Sequence, residues 1–278
     1  MSKYKLVFLG NDNNIRVLED DFPFESVTEC KKSISKLEKL LLSVNYYLIV
    51  KDNIFDLLQC IDNIDTHDKK LFTILNRYTF NFVNTFYAYI NFYETNFKKV
   101  FYPIKVKYYD ENIEYRLIYN IRNYMAHKEM VVSTVVKDIL SKDTDSNISI
   151  QLDIKKLANK DSGVQKKVRK ELQAMIAENK QLDLSLLIHN FFYVFESLQK
   201  ELMDELVKDS TKSLETIDEF IEGDFPNYLP TYIINKEEPS DIISLATYMN
   251  HFLKKIDSLY SENEKYDKTK KRSVGFST

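Results

Sequence analysis

Tyr115-Arg116-Leu117-Ile118-Tyr119-Asn120-Ile121-Arg122-Asn123-Tyr124-Met125-Ala126-His127-Lys128-Glu129 is the stretch on which the reading of this chain turns. With Ile113 just before it, apolar residues recur at Ile113, Leu117, Ile121 and Met125, the spacing of an amphipathic helix, and Asp110 is placed to cap its start. A second pattern lies on the same wheel. Arg116, Asn120, Asn123 and His127 follow one another at intervals of four, three and four, so they form one polar strip. Arg122 and His127 are five residues apart, and at ~100° per residue they project ~140° from one another. Either the helix ends or bends between them, or a site using both is assembled from two copies of the chain.

Outward from this stretch the sequence is mostly helical. On the N-terminal side, Val27, Cys30, Ile34, Leu37, Leu41, Val44 and Leu48 hold a seam of threes and fours, after a capping box at Ser26-Val27-Thr28-Glu29. This helix is expected to run to about Ile61, with a break near Lys51-Asp52-Asn53. A second helix, capped by Asp65 or Thr66, carries Leu71, Leu75, Tyr78, Phe82, Phe86, Tyr89, Tyr93 and Phe97, and continues to about Phe101. Its aromatics keep helical period, which assigns them to a core or a dimer contact before a base-stacking surface. Pro103 is expected to end it, with an extended link over residues 104–109.

On the C-terminal side the period changes. Residues 130–139 are rich in valine and threonine, and Ile148, Ile150, Leu152 and Ile154 alternate with polar residues, which predicts a β-hairpin turning through 141–146. Helices resume near Gly163 with Val164, Val168, Leu172 and Ile176, then over roughly 182–207 with Leu184, Ile188, Phe191, Phe195, Leu198 and Leu202. A short helix near 214–221, a turn at 224–230, and a last helix from Pro239 to about Tyr260 complete the expected order. Residues 3–9 suggest a short strand and Gly10 to Asn14 a turn, without the Gly-Lys-Ser/Thr of a phosphate loop.

Composition bounds the chemistry. The 278 residues include four glycines, five prolines and no tryptophan, but 19 tyrosines and 18 phenylalanines, which favours a mainly α chain with an ample core. A net charge of −3 excludes nucleic-acid binding by bulk positive charge. Basic groups at Lys98-Lys99, Lys105, Lys107, Lys155-Lys156, 166–170 and 268–272 read first as solvated faces and tail. Cys30 and Cys60 have no metal-ligand spacing and suit a reducing, cytoplasmic setting. The apolar run at 6–9 is too short for a signal peptide, and no stretch approaches the ~20 apolar residues of a membrane-spanning helix. His67-Asp68 lacks further His and Asp at useful spacing for a metal site, and His189 sits at a core position.

The Arg122-Asn123 and His127 pattern, an arginine, a polar residue, three residues and a histidine on a helix, resembles the signature of the HEPN superfamily of small helical domains. The resemblance covers about residues 25–208 and implies a HEPN-like helical bundle with a small inserted β-hairpin. The corresponding organisation is a helical core over 1–208 with the insertion at about 130–155, a helical extension over 209–263 packed on it, and a disordered basic tail over 264–278. Active members look like dimeric, metal-independent ribonucleases, so the resemblance implies a homodimer through the motif helix, RNA as substrate, and no metal or cofactor. Catalysis would fall to Arg122, His127 and Asn123. Arg116 and Asn120, read as the solvent-facing start of the polar strip, and Lys128 are candidate supporting or RNA-binding residues. The implied setting is a toxin or an antiviral, abortive-infection effector, held by an antitoxin or regulatory protein. Toxins of this type can carry a modifiable tyrosine two residues after the motif histidine, where this chain has Glu129. A HEPN-like scaffold that binds RNA or protein without cutting it, and an unrelated helical adaptor, are the competing readings.

Overall fold

A computed structural model describes residues 3–9, 14–137, 148–221, 231–238, 240 and 242–244. In chain order the elements are β1 (Tyr4–Leu9), β2 (Ile15–Phe22), α1 (Phe24–Asp62), α2 (Leu71–Asn96), α3 (Lys98–Glu111), α4 (Ile113–His127), β3 (Val132–Lys137), β4 (Ile148–Leu152), α5 (Ile154–Leu157), α6 (Lys166–Ala177), α7 (Leu184–Ile221), β5 (Thr231–Asn235) and β6 (Ile242–Ser244). The described chain is mainly α, as expected. Two compact units divide it: residues 1–42 with 207–278, and residues 43–206.

The first unit holds a four-stranded antiparallel sheet in the order β2-β1-β5-β6. Tyr4 and Leu6 are buried in alternation, and then Val7 is buried too, because the register against β2 shifts between Leu6 and Val7 and resets the alternation. Val27, Cys30, Ile34, Leu37 and Leu40 bury the α1 stripe in this unit, and burial pushes the Cys30 thiol up to about 12. Lys36 pairs with Asp209 at 2.8 Å.

The second unit contains the candidate site. Its centre is aromatic. Phe86 of α2 meets Phe191 and Phe195 of α7 and Tyr115 of α4, all edge to face, at 4.9, 6.0 and 5.4 Å between ring centres. Tyr89 donates to Gln199 Oε1 at 2.8 Å, so α7 satisfies a phenol that α2 buries. The two expected strands pair antiparallel, with Val135 opposite Ile150, although Ile154, expected in the second strand, begins α5. Two side chains dock this pair of strands. Asn76 of α2 accepts from the Val132 N–H at 3.0 Å and donates to the Val132 carbonyl at 3.1 Å. Asp183 accepts from Ser149 Oγ at 2.6 Å and from the Ile150 N–H at 3.1 Å, while its other oxygen accepts from the Leu186 N–H at the start of α7. Beyond α6, Asn179 adopts a left-handed φ of 53°, with Lys180 N–H donating to Met175 O and Asn179 N–H to Ile176 O, a Schellman closure.

Several boundaries differ from expectation. α1 starts at Phe24, ahead of the Ser26 box, and crosses Lys51-Asp52-Asn53 without a break. The turn after α2 falls at Phe97, and Pro103 lies inside α3 instead of ending a helix. Its ring removes the N–H that would pair with the Lys99 carbonyl, a loss that the exposed position leaves to water. α7 continues to Ile221 as one helix. Ile242-Ile243-Ser244, expected inside the last helix, form β6 against β5, where Ile243 lies opposite the buried Ile233. The expected turns at 141–146 and 224–230, the remainder of the last helix and the 264–278 tail lie outside the described residues.

Candidate functional site

α4 forms where the apolar spacing places it. Leu117, Ile118, Ile121 and Met125 are buried. Its N-cap is Asn112, in an extended conformation and without a side-chain capping bond. Asp110, the expected cap, belongs to α3, and Lys167 at 2.8 Å holds its carboxyl below the ordinary range. The helix ends beyond His127, where the Lys128 N–H closes onto Tyr124 O at 2.8 Å.

Arg122, Asn123 and His127 thus occupy the last turns of one unbroken helix. The bend or early stop that would bring Arg122 and His127 together is not made, and the ~140° divergence stands. Arg122 lies over the ring of Tyr87 on α2, 3.6 Å from its centre, a close cation–π stack. The stack seals Nε from water without a hydrogen-bond partner. Nη1 is 3.4 Å from Asn123 Oδ1, and among the described residues no carboxylate pairs with the guanidinium. His127 is exposed, with no hydrogen-bond partner among the described residues. Nothing in the local sequence marks Tyr87 as the partner of Arg122, 35 positions later in the chain.

Arg116 and Asn120 are not where the polar strip places them. Both are buried, at 7% and 1% exposure, and their polar atoms are consumed internally. Arg116 grips Glu171 of α6 through Nη2 to Oε1 at 2.7 Å and Nε to Oε2 at 3.3 Å. Its Nη1 donates to the carbonyls of Tyr109 and Asp110 at 2.7 and 2.8 Å. Asn120 donates to Arg116 O and accepts from the Gln165 N–H, both at 2.8 Å, which fixes the start of α6. The physical reason is packing: α6 lies against this side of α4, so the strip is an interior polar seam at its N-terminal half and opens only at Asn123 and His127. Arg116 and Asn120 therefore join helices, and no polar atom of theirs is left for RNA in this arrangement.

Past His127 the chain is tied back. Tyr124 donates to Glu129 Oε1 at 2.8 Å, and Lys156 Nζ donates to Glu129 Oε2 at 2.8 Å. Lys156, then Tyr124, holds the Glu129 carboxyl below its ordinary value, while burial and then Glu129 push the Tyr124 phenol up. Lys128 is exposed and lines a shallow depression of about 200 Å³ with Tyr124, Glu129 and Lys156. Among the described residues no group of three or more His, Cys, Asp and Glu is arranged to hold a metal ion. His189, placed at a core position by sequence, is half-buried, with Nδ1 2.9 Å from Ser185 O. No helix among the described residues is long and apolar enough to cross a membrane.

No family model matches the chain, and neither the curated proteins nor the solved structures contain a match to it.

Proposed function

We propose that this protein is a metal-independent endoribonuclease of the HEPN type, acting as a toxin or an antiviral, abortive-infection effector. The observation that carries the reading is the open end of α4. There an arginine with no carboxylate partner among the described residues, an amide beside it and an exposed histidine occupy the helix's last turns, while the rest of the polar strip is buried. In the reaction, the RNA 2′-oxygen attacks the adjacent phosphorus, the P–O5′ bond breaks, and the products are a 2′,3′-cyclic phosphate and a 5′-hydroxyl. His127 moves protons, receiving that of the 2′-hydroxyl or supplying one to the departing 5′-oxygen. Arg122, held on Tyr87, offers a fixed positive charge to the phosphorane oxygens, and Asn123 orients phosphate or imidazole. Because α4 is unbroken, Arg122 and His127 meet at one phosphate only if two copies of α4 face each other. The active species in this reading is a homodimer through that helix, open to control by an antitoxin or regulatory protein.

The same divergence favours a second reading, a non-catalytic HEPN-like module that binds RNA or protein through Arg122 and the neighbouring tyrosines. Incubation of the purified chain with RNA in EDTA separates the two. The nuclease reading expects cleavage that Arg122→Ala and His127→Ala each abolish. Intact RNA, or cleavage indifferent to both changes, would sink it. Light scattering of the same sample tests the dimer.

A further inference from the structure

One turn before Arg122, Tyr119 stands half-buried on α4 in a row of aromatic rings that ends at the motif. Its centre is 6.5 Å from that of Tyr87 and 6.2 Å from that of Tyr109 on α3, the latter at 90°. Lys105 of α3 lies 5.4 Å from the Tyr119 ring centre, as Arg122 lies over Tyr87 at 3.6 Å. Tyr87 and Tyr119 are half-buried, unlike the buried Tyr89 and Tyr124, whose hydroxyls go to Gln199 and Glu129. The hydroxyls of Tyr87 and Tyr119 have no hydrogen-bond partner among the described residues, and both rings are only partly covered. Neighbouring rings hold Tyr119 in place before any ligand arrives, so little ordering cost falls on binding. The charges sort as well: Glu94 pairs with Lys105, whereas Arg122, at the motif end, has no carboxylate partner among the described residues.

From this arrangement we infer that Tyr119 and the planar Arg122 guanidinium, which itself covers a face of Tyr87, form a stacking surface for unpaired bases of single-stranded RNA. Bases stack on aromatic rings regardless of sequence, while a cation beside the rings meets the phosphate that joins them. A duplex does not fit, because A-form helices keep base faces stacked inside and their deep groove closed to side chains. The inference names the form of RNA that the proposed nuclease takes and rests on that reading, but binding is measured apart from cleavage.

The test uses the full chain carrying His127→Ala, in EDTA, with a fluorescein-labelled RNA of mixed sequence about twelve nucleotides long, and the same strand annealed to its complement. Fluorescence anisotropy should show the single strand bound more tightly than the duplex. Adding Tyr119→Ala should weaken it by about 5- to 150-fold, the range expected for one lost base stack, while Tyr119→Phe keeps the affinity. Circular dichroism confirms that each variant is folded. Equal binding of the two RNAs, equal affinities for the Ala and Phe variants, or no binding by either overturns the inference. If wild-type protein leaves RNA uncut but the binding pattern holds, the nuclease reading fails and the stacking surface stands. If cleavage holds and Tyr119→Ala changes nothing, the reverse is true.

Discussion

Arg116→Met should cost about 3 kcal/mol of folding stability and leave the RNA affinity of the folded protein unchanged. The magnitude follows from what the guanidinium does. It makes two hydrogen bonds to the Glu171 carboxylate and two to backbone carbonyls, with its own side chain 8% exposed and that of Glu171 24%. Removing one partner of a buried pair costs roughly 3–5 kcal/mol, since the other charge is left without compensation. The quarter of Glu171 that still faces water screens part of that loss and places the effect near the lower end. With a urea dependence of about 3 kcal/mol/M, the unfolding midpoint should fall by about 1 M at unchanged slope. Adding Glu171→Met should recover part of the loss, because an apolar pair of similar volume avoids the stranded carboxylate. Lys167→Met is the control: it breaks an exposed pair with Asp110 and should cost less than about 1 kcal/mol. A loss below about 1 kcal/mol for Arg116→Met, together with weakened RNA binding, would refute the assignment of Arg116 to the interior seam.

Phe86→Ala should destabilise by about 3–5 kcal/mol in urea unfolding, since it empties the centre of the aromatic core between α2, α4 and α7. Gly163→Ala should cost about 1–2 kcal/mol although a methyl group there meets no atom within 4 Å, because φ is +77°; Gly163→Asn should cost less. The Glu129 link has a defined pH window. The Glu129 carboxyl is depressed from 4.5, so its support is full above that pH and is lost as pH falls through the lowered value; the Lys156 ammonium is raised from 10.5, so its support is lost only as pH rises through the raised value. Glu129→Gln should therefore lower the melting temperature at pH about 7 and much less at pH about 3, and an equal effect at both would count against the link.

The elements legible in the sequence are those whose signal is local. Apolar residues four apart fix α4, and the alternation from Ile148 to Leu152 fixes β4, because each pattern repeats within a few residues and marks the face to be buried without naming what covers it. Pairings between distant segments leave no such mark. Nothing near Tyr232 or Ile243 announces that β5 and β6 continue the sheet begun at Tyr4. The candidate site divides the same way. The grouping of Arg122, Asn123 and His127 at one helix end is visible in their spacing, whereas the partners that decide what each polar residue is free to do are remote. Glu171 is 55 residues from Arg116, and Gln165 is 45 from Asn120. A helical wheel shows which residues share a side, and it cannot show that α6 covers half of that side. Pro103 illustrates the opposite error, a strong local signal overruled because its position in α3 leaves only an exposed carbonyl without a partner.

The most direct test of the central claim is the chemistry of the cut ends. RNA incubated in EDTA with the purified chain should yield fragments ending in 2′,3′-cyclic phosphate and beginning with 5′-hydroxyl, and His127→Ala should abolish them while its unfolding free energy stays within about 0.5 kcal/mol of wild type, as befits an exposed side chain. Fragments with 5′-phosphate ends, or cyclic-phosphate ends produced equally by the His127→Ala protein, would contradict it.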